Sequence, residues 1–341
     1  SNVLPQIRHI YAEVKKDPDG YSQYLQGIGE KPSNSQMDSI TYKIAKDYYN
    51  NGDCGNASPA LAKYIGGYPS GIFSQDAMFM KAECDLKNSQ PDEALKGYKS
   101  ILNLPSGKYT LPSLRRAAAI CFNQNDFASA YDYYSKLETD ATYAFDARVG
   151  MMRSAVALKQ LANAAIAANK VLGADNLAAD MANEAHLVIA RSAIEAKNID
   201  LAWNEYGIVK AGPKNEHAAE AAFYLAQIQH ERKEFKPAEK SIFELIRQQA
   251  GYKVWVGKAF LLLSDNYLAQ SDTFHAKFIL NDFIKNTDLP DLKTEAIDKL
   301  GKITDAEKAR PKIEEKDILV PMTNEKDDKF FDEDKKGDMP R

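Results

Sequence analysis

The sequence predicts an all-α protein built as a row of helical hairpins. The first observation is a repeat, since anchor alanines recur every 34 to 38 residues, at Ala57, Ala94, Ala130, Ala164, Ala202, Ala238 and Ala276. The second is that apolar residues on both sides of each anchor follow helical spacing. The third is a short polar turn between the two helical faces of most periods. One hairpin cannot bury its apolar face alone, so these observations indicate a stacked array.

Each period combines small residues in a first helix with large residues in a second helix. The positions twelve before the anchors are small in six cases of seven: Ala45, Ala82, Ala118, Met152, Ala190, Ala226 and Ser264. The positions seven after the anchors are large and apolar: Tyr64, Ile101, Leu137, Val171, Val209, Leu245 and Phe283. Small residues let two helices approach closely, and large residues fill the remaining space. This alternation predicts antiparallel helix pairs in close contact.

Turn signals separate the helices. Within the hairpins we assign polar turns to Asn51-Gly52-Asp53, Asn88-Ser89-Gln90, Asn123 to Asp126, Lys197-Asn198 and Ser271-Asp272. The second helices of most units end at Gly66-Gly67, Pro105-Ser106-Gly107, Gly173, Gly212-Pro213 and Gly251, as glycine and proline commonly end helices. The pattern predicts about seven hairpins.

The sequence predicts four segments along the chain. Residues 1–34 have the apolar spacing of a degenerate N-terminal hairpin without an anchor, and residues 35–288 form the repeat array. Residues 289–310 read as an amphipathic helix that covers the open face of the last hairpin. Residues 311–341 are rich in Lys, Glu and Asp, and we expect a flexible or loosely docked tail.

Composition argues against two classes of protein. The formal net charge is -4, and most of it lies in the C-terminal tail, so the body of the chain is nearly neutral. A nucleic-acid-binding protein needs a basic face for its phosphate contacts. No run of about 18 apolar residues is present to form an integral membrane segment.

Residues that carry chemistry are sparse, and we expect no enzyme and no cofactor. No two of the five histidines have the spacing of two ligands on one helical turn, and none of the common catalytic or phosphate-binding motifs occurs. The odd number and wide spacing of the cysteines fit neither a metal site nor a disulfide framework. We therefore expect small packed residues at Cys54, Cys84 and Cys121.

The repeat resembles the tetratricopeptide repeat (TPR) family over residues 35–285. The small residue twelve before each anchor, the large residue four after it in most units, and a proline further on at Pro69, Pro105 and Pro213 carry the resemblance. The tryptophan typical of the family sixteen before the anchor is absent. The longer units, and phrases such as KDYYNNGDCGNASPALAKYIGGYPSGIF, are most similar to bacterial envelope proteins of the BamD and CpoB type. The resemblance implies a right-handed α-α superhelix, or solenoid.

The resemblance also implies a binding groove. In this family the first helices line a concave groove, and the positions fifteen and eleven before each anchor face it. Aromatic and charged side chains there suit an extended peptide or a partner helix. The candidate partner-binding residues are Tyr42, Lys46, Phe79, Glu83, Arg115, Arg153, Arg191, Phe223 and Gln227.

Three functional hypotheses follow. The first is a non-enzymatic scaffold for protein or peptide partners, located in the bacterial periplasm and peripherally associated with an envelope complex, as the resemblance implies. The second is a regulatory or substrate-docking region of a larger enzyme with an upstream catalytic domain, since the chain opens SNVLPQI without a signal peptide and we expect its natural N-terminus further upstream. The third is that the tail segment Ile318 to Val320 docks in a groove of its own chain or of a second copy.

Overall fold

The computed structural model describes residues 3–309, and all regular structure in this range is helical. The elements are α1 (Val3–His9), a π-helical segment (Ile10–Val14), α2 (Pro18–Gly27), α3 (Asn34–Asn50), α4 (Cys54–Gly67), α5 (Ser74–Lys87), α6 (Pro91–Leu102), α7 (Thr110–Asn123), α8 (Phe127–Leu137), α9 (Ala144–Ala157), α10 (Leu161–Leu172), α11 (Ala179–Glu195), α12 (Ile199–Ala211), α13 (Glu216–Glu231), α14 (Phe235–Gln248), α15 (Lys253–Ala269), α16 (Thr273–Asn286) and α17 (Pro290–Ala309). The predicted all-α class is confirmed.

The chain divides into two compact units at Ala259, inside α15. The first unit contains the leading helices and the hairpins α3/α4, α5/α6, α7/α8, α9/α10, α11/α12 and α13/α14. The second unit contains most of α15 together with α16 and α17. The four-segment division expected from the sequence stays a prediction, and its tail lies outside the described residues.

The anchor alanines lie in the hairpin cores. All seven are fully excluded from solvent, at 0% exposure. The residues twelve before them are excluded to within 1%. Helices packed on such small side chains approach closely, and buried Tyr64, Tyr98 and Tyr206 fill the adjacent space. The anchor positions read from the sequence thus lie at buried helix contacts.

One turn geometry closes every hairpin. Five residues before each anchor, the backbone adopts a left-handed conformation with φ between 57° and 74°, at Gly52, Ser89, Asn125, Lys159, Lys197, Lys233 and Ser271. The backbone amide of the next residue donates a hydrogen bond to the carbonyl of the residue five positions before it in the chain, at 2.8 to 3.0 Å. This pairing satisfies carbonyls at the end of the first helix. Asp53, Asp126, Asn198 and Asp272 then cap the second helices by accepting the amide three residues on, at 3.0 to 3.2 Å.

The second unit has its own apolar core. Leu261 of α15, Leu280 and Phe283 of α16, and Ala296 and Ile303 of α17 form one buried cluster. Helix α17 covers an apolar face of the α15/α16 hairpin in this way, as stacked repeats require at an end. No helix within residues 3–309 combines the length and apolar character needed to cross a bilayer.

Two of the three cysteines form a disulfide, so the expectation of three packed thiols is wrong for this pair. Cys54 at the start of α4 and Cys84 in α5 are bonded, with their Cα atoms 4.9 Å apart. Both are buried, at 6% and 0% exposure. Their 30-residue separation gave no disulfide signal because only the packing of α4 against α5 brings them together. Cys121 is a buried free thiol, as expected.

We expect reduction of this disulfide to destabilise the first unit. Opening a 30-residue loop restores chain entropy to the unfolded state, at a cost of about 3 to 4 kcal/mol in the free energy of unfolding. Urea denaturation with and without reductant measures the change, and thiol titration in denaturant should give one thiol per chain before reduction. A Cys54→Ser/Cys84→Ser double variant should be insensitive to reductant. Three titratable thiols in the oxidised protein would contradict the pairing.

The left-handed turns predict stabilising glycine substitutions. A residue other than glycine destabilises the folded protein by about 1 to 2 kcal/mol in this conformation. Glycine avoids that strain, but it has more conformational entropy to lose on folding, which costs about 0.5 to 1 kcal/mol. Each of Lys159→Gly, Lys197→Gly and Lys233→Gly should therefore raise the free energy of unfolding by about 0.5 to 1 kcal/mol in urea denaturation. The matched control Lys240→Gly, on an exposed position inside α14, should lower it by about 1 kcal/mol. Equal losses in all four variants would refute the turn geometry.

Candidate functional site

The nine candidate binding residues lie on the helices that open the hairpins of the first unit. We call the surface formed by α3, α5, α7, α9, α11 and α13 the first-helix face. Each helix contributes residues from the two positions fifteen and eleven before its anchor. The structure gives these residues different surroundings.

Bidentate ion pairs join neighbouring first helices. Both N–O distances lie between 2.6 and 2.8 Å in each of the pairs Arg116–Glu83, Arg153–Glu184 and Arg191–Glu220. Two parallel hydrogen bonds in each pair hold the guanidinium and the carboxylate in one relative orientation, in addition to their electrostatic attraction. Glu83, Arg153 and Arg191 are candidate partner-binding residues by sequence. In the structure they connect one repeat to the next.

The Arg191–Glu220 pair is the most buried of the three. Glu220 is 4% exposed, so its carboxylate depends on the guanidinium for charge compensation. The hydrogen bond to Glu220 raises the pKa of Arg191, against the opposing effect of burial. The stacked rings of Tyr206 and Tyr224, 5.0 Å apart, lie close enough to influence the same guanidinium. This pair is a structural element of the α11–α13 junction.

Tyr42 and Phe79 are packed rather than presented to solvent. Tyr42 is 5% exposed, its ring stacks on Phe73 at 4.2 Å, and its hydroxyl donates to Asp76 at 3.2 Å. Burial, reinforced by Asp76, raises the pKa of this phenol. Phe79 is half-buried and stacks on Tyr109 at 4.6 Å. Tyr42 therefore offers little surface to a partner.

The remaining candidates at the two ends of the face are partly exposed and do not come together. Lys46 lies over the ring of Tyr42, at 5.5 Å from its centre. Phe223 lies 5.8 Å from Trp255, measured between ring centres. Gln227 donates to Glu231 one turn along α13, at 2.8 Å.

A pocket opens between α7 and α9. Its volume is about 420 Å³, and Arg115 and Arg153 both line it. The other lining residues are mostly apolar: Ala119, Phe122, Tyr134, Phe145, Asp146, Val149, Gly150 and Met181. The structure thus brings together two of the nine candidates, with apolar surface between them, at the middle of the first-helix face.

The pocket exists because a short side chain stands at a bridging position. Eleven residues before their anchors, Glu83, Arg153 and Arg191 reach a neighbouring first helix, whereas the equivalent residue of the third hairpin is Ala119. The α7–α9 junction has only Arg115 and Asp146, whose closest N–O distance is 4.0 Å. Both side chains are more than half exposed. A guanidinium in this setting can bind a second anion.

Tyr134 and Gly150 shape one wall of the pocket. The Tyr134 ring lies so close to Gly150 that a Cβ at that position would overlap it. Burial and the nearby Asp146 raise the pKa of Tyr134, and Arg115 and Arg153 oppose the increase. The phenol is therefore neutral at physiological pH and lies within the electrostatic reach of both guanidinium groups. The wall combines an apolar ring with a hydrogen-bonding hydroxyl.

The acidic partners on this face were not predicted from the sequence. Four of the seven positions eighteen before the anchors are acidic: Asp76, Asp146, Glu184 and Glu220. Each interacts with the preceding first helix, through Tyr42, Arg115, Arg153 and Arg191 respectively. The recurrence of acidic residues eighteen positions before the anchors could have predicted these partners from the sequence. Tyr134 was also missed as a pocket residue, because its repeat position suggested a core side chain.

No group of three or more His, Cys, Asp or Glu residues within 3–309 is arranged to hold a metal ion.

Comparison with solved structures identifies the fold class. The C-terminal part of a TPR repeat-containing protein from Cytophaga hutchinsonii is similar to this chain with a TM-score of 0.51 and 14% identity, covering 76% of this chain and 99% of that one. A tetratricopeptide repeat protein from Parabacteroides merdae is similar with a TM-score of 0.41 and 15% identity, and the match covers 80% of this chain and 99% of that one. YrrB, described as a TPR protein with an unusual peptide-binding site, is similar with a TM-score of 0.45 and 16% identity, and the match covers 60% of this chain and 99% of that one. No protein-family model and no curated protein matches the sequence.

The chain therefore has the fold of a TPR solenoid, an all-α superhelix of stacked helical hairpins. The resemblance that the repeat pattern indicated is confirmed at this level. At 14% identity, the similarity to the Cytophaga hutchinsonii protein shows the fold alone.

We expect the Arg191–Glu220 pair to contribute strongly to stability. Arg191→Met leaves the buried Glu220 carboxylate without its counter-charge, and should lower the free energy of unfolding by about 3 kcal/mol in urea denaturation. Adding Glu220→Leu should restore a large part of the loss, because no unpaired charge remains buried. The control Lys96→Met breaks an exposed pair with Glu93 and should cost less than about 1 kcal/mol. Similar losses for Arg191→Met and Lys96→Met would contradict the assignment.

Proposed function

We propose that the protein is a non-enzymatic scaffold that binds a segment of a partner protein at the pocket between α7 and α9. The pocket carries the proposal: a cavity of about 420 Å³ with both apolar and charged lining residues, flanked by Arg115 and Arg153, in the middle of the first-helix face. Glu83, Arg153 and Arg191 are engaged in pairs between helices, which favours a structural role for them over proton transfer.

The lining defines the chemistry of the bound segment. Phe122, Phe145 and Met181 provide apolar surface, and Phe145 is 41% exposed. A large aromatic or aliphatic side chain buries area at low entropic cost in such a pocket. Arg115 is more than half exposed, and among residues 3–309 it has no carboxylate closer than Asp146 at 4.0 Å. The preferred segment therefore carries a bulky apolar residue with an Asp or Glu close by.

We also propose that the protein works in the periplasm of a bacterium, peripherally associated with an envelope complex. The Cys54–Cys84 disulfide supports an oxidising compartment, because such bonds are rare in the cytosol. Thiol titration of protein isolated from its native host after acid trapping tests this location, and reduced Cys54 and Cys84 would contradict it.

A peptide selection tests the binding site. The whole chain is immobilised and used to select from a phage-displayed library of random 12-residue peptides, and the affinities of synthetic selected peptides are measured by fluorescence anisotropy. We expect enrichment of a bulky apolar residue near an acidic one. Ala119→Trp fills the pocket from an exposed position and should weaken binding at least tenfold. Arg115→Glu should abolish the preference for acidic residues.

The matched control is Ala128→Trp, which adds the same side chain at an exposed position of α8 outside the pocket lining. Its affinities should equal those of the parent chain. Selected peptides that bind Ala119→Trp as tightly as the parent would place the binding surface elsewhere.

A further inference from the structure

A second apolar pocket lies within the second unit, between the end of α15 and the second half of α17. Its volume is about 300 Å³. Leu268, Ile303 and Ala306 form its apolar surface, and Leu268 is 40% exposed. A leucine side chain exposed to this extent beside a cavity leaves apolar area for another group to cover.

The charges around this pocket are mostly neutralised. Asp265 accepts hydrogen bonds from Lys299 at 2.8 and 2.9 Å, and Glu307 accepts one from Lys277 at 2.7 Å. Lys302 lines the same pocket, is exposed, and forms no ion pair with any residue in 3–309. An occupant with an apolar stretch next to one acidic residue would match this surface.

The chain itself carries such a stretch close by. Ile318–Met322 has the sequence ILVPM, follows Asp317 directly, and belongs to residues outside the described structure. Val320 precedes a proline, which favours the extended conformation that fits a groove. The rest of the sequence after Pro311 is largely charged.

The connection is long enough. Eight residues separate Ala309 from Ile318, and an extended chain of that length spans up to about 28 Å. Ala306, which lines the pocket, lies within one helical turn of Ala309. A short tether of this kind gives an effective concentration in the millimolar range, so even a weak contact would be populated.

We propose that Ile318–Met322 docks in the α15–α17 pocket of its own chain. The apolar side chains of the segment cover Leu268, Ile303 and Ala306, and Asp317 pairs with Lys302. The docked segment covers the apolar surface exposed at this pocket, and so limits non-specific association of that surface.

Paramagnetic relaxation in the full chain tests this docking. A nitroxide label on Thr323→Cys lies one residue beyond the segment, while Cys121 is buried and the other two cysteines are bonded. In methyl spectra recorded with the nitroxide intact, the signals of Leu268 and Ile303 should have less than half the intensity that they have after the nitroxide is reduced. Adding Leu319→Glu to the segment should restore both signals.

Variants of the pocket provide the matched comparison. Leu268→Glu should restore the Ile303 signal, whereas Ile297→Glu, at an exposed site on α17 outside the lining, should leave it attenuated. Full intensity for Leu268 and Ile303 in the labelled parent chain would overturn the proposal. Attenuation of Val149 in the α7–α9 pocket instead would also overturn it.

A mixed sample distinguishes docking within one chain from docking between copies. Isotope-labelled chains without nitroxide are combined with spin-labelled chains of natural isotope abundance. We expect no attenuation of Leu268 or Ile303 in this sample. Attenuation equal to that measured when one chain carries both the isotope and the nitroxide would show that a second copy supplies the segment. This result would overturn intrachain docking.

Discussion

The close contact of two helices at each anchor alanine is the constraint on which the structure depends. Any larger side chain at Ala130 or Ala202 would push the paired helices apart, because both positions are fully buried. The contact fixes which faces of the hairpin turn inward, and therefore which residues of the first helix remain for neighbouring repeats. The left-handed turn five residues earlier serves the same contact, since it reverses the chain within a few residues.

The first-helix face contains the ion pairs that bridge adjacent helices and also the pocket proposed to bind a partner, and both depend on the same repeat positions. Arg153 and Arg191, each eleven residues before its anchor, connect adjacent first helices through bidentate pairs. Where Ala119 stands instead, the junction is bridged only loosely and a pocket remains. The proposed binding site thus arises where the structural bridge is missing. Arg153 at its edge is paired with Glu184, whereas Arg115 and Asp146 approach each other only to 4.0 Å.

The disulfide strengthens one junction of the array by a different means. Cys54 and Cys84 connect the second helix of one hairpin to the first helix of the next, so the bond opposes separation of two repeats. Repeat arrays are stabilised mainly by contacts between nearest neighbours, and a covalent link between two of them raises the cost of opening the array from that end.

The sequence by itself determined the helical class, the hairpin register and the positions of the turns, because these depend on local spacing and on residue size at fixed offsets. The full burial of Ala57 and Ala276, the first and last anchors in the sequence, follows from that spacing. Tertiary structure alone decided which side chains meet across repeats. Cys54 with Cys84, and Arg115 with Tyr134, are brought together by the packing of one helix on another, and a linear pattern contains no information about that distance.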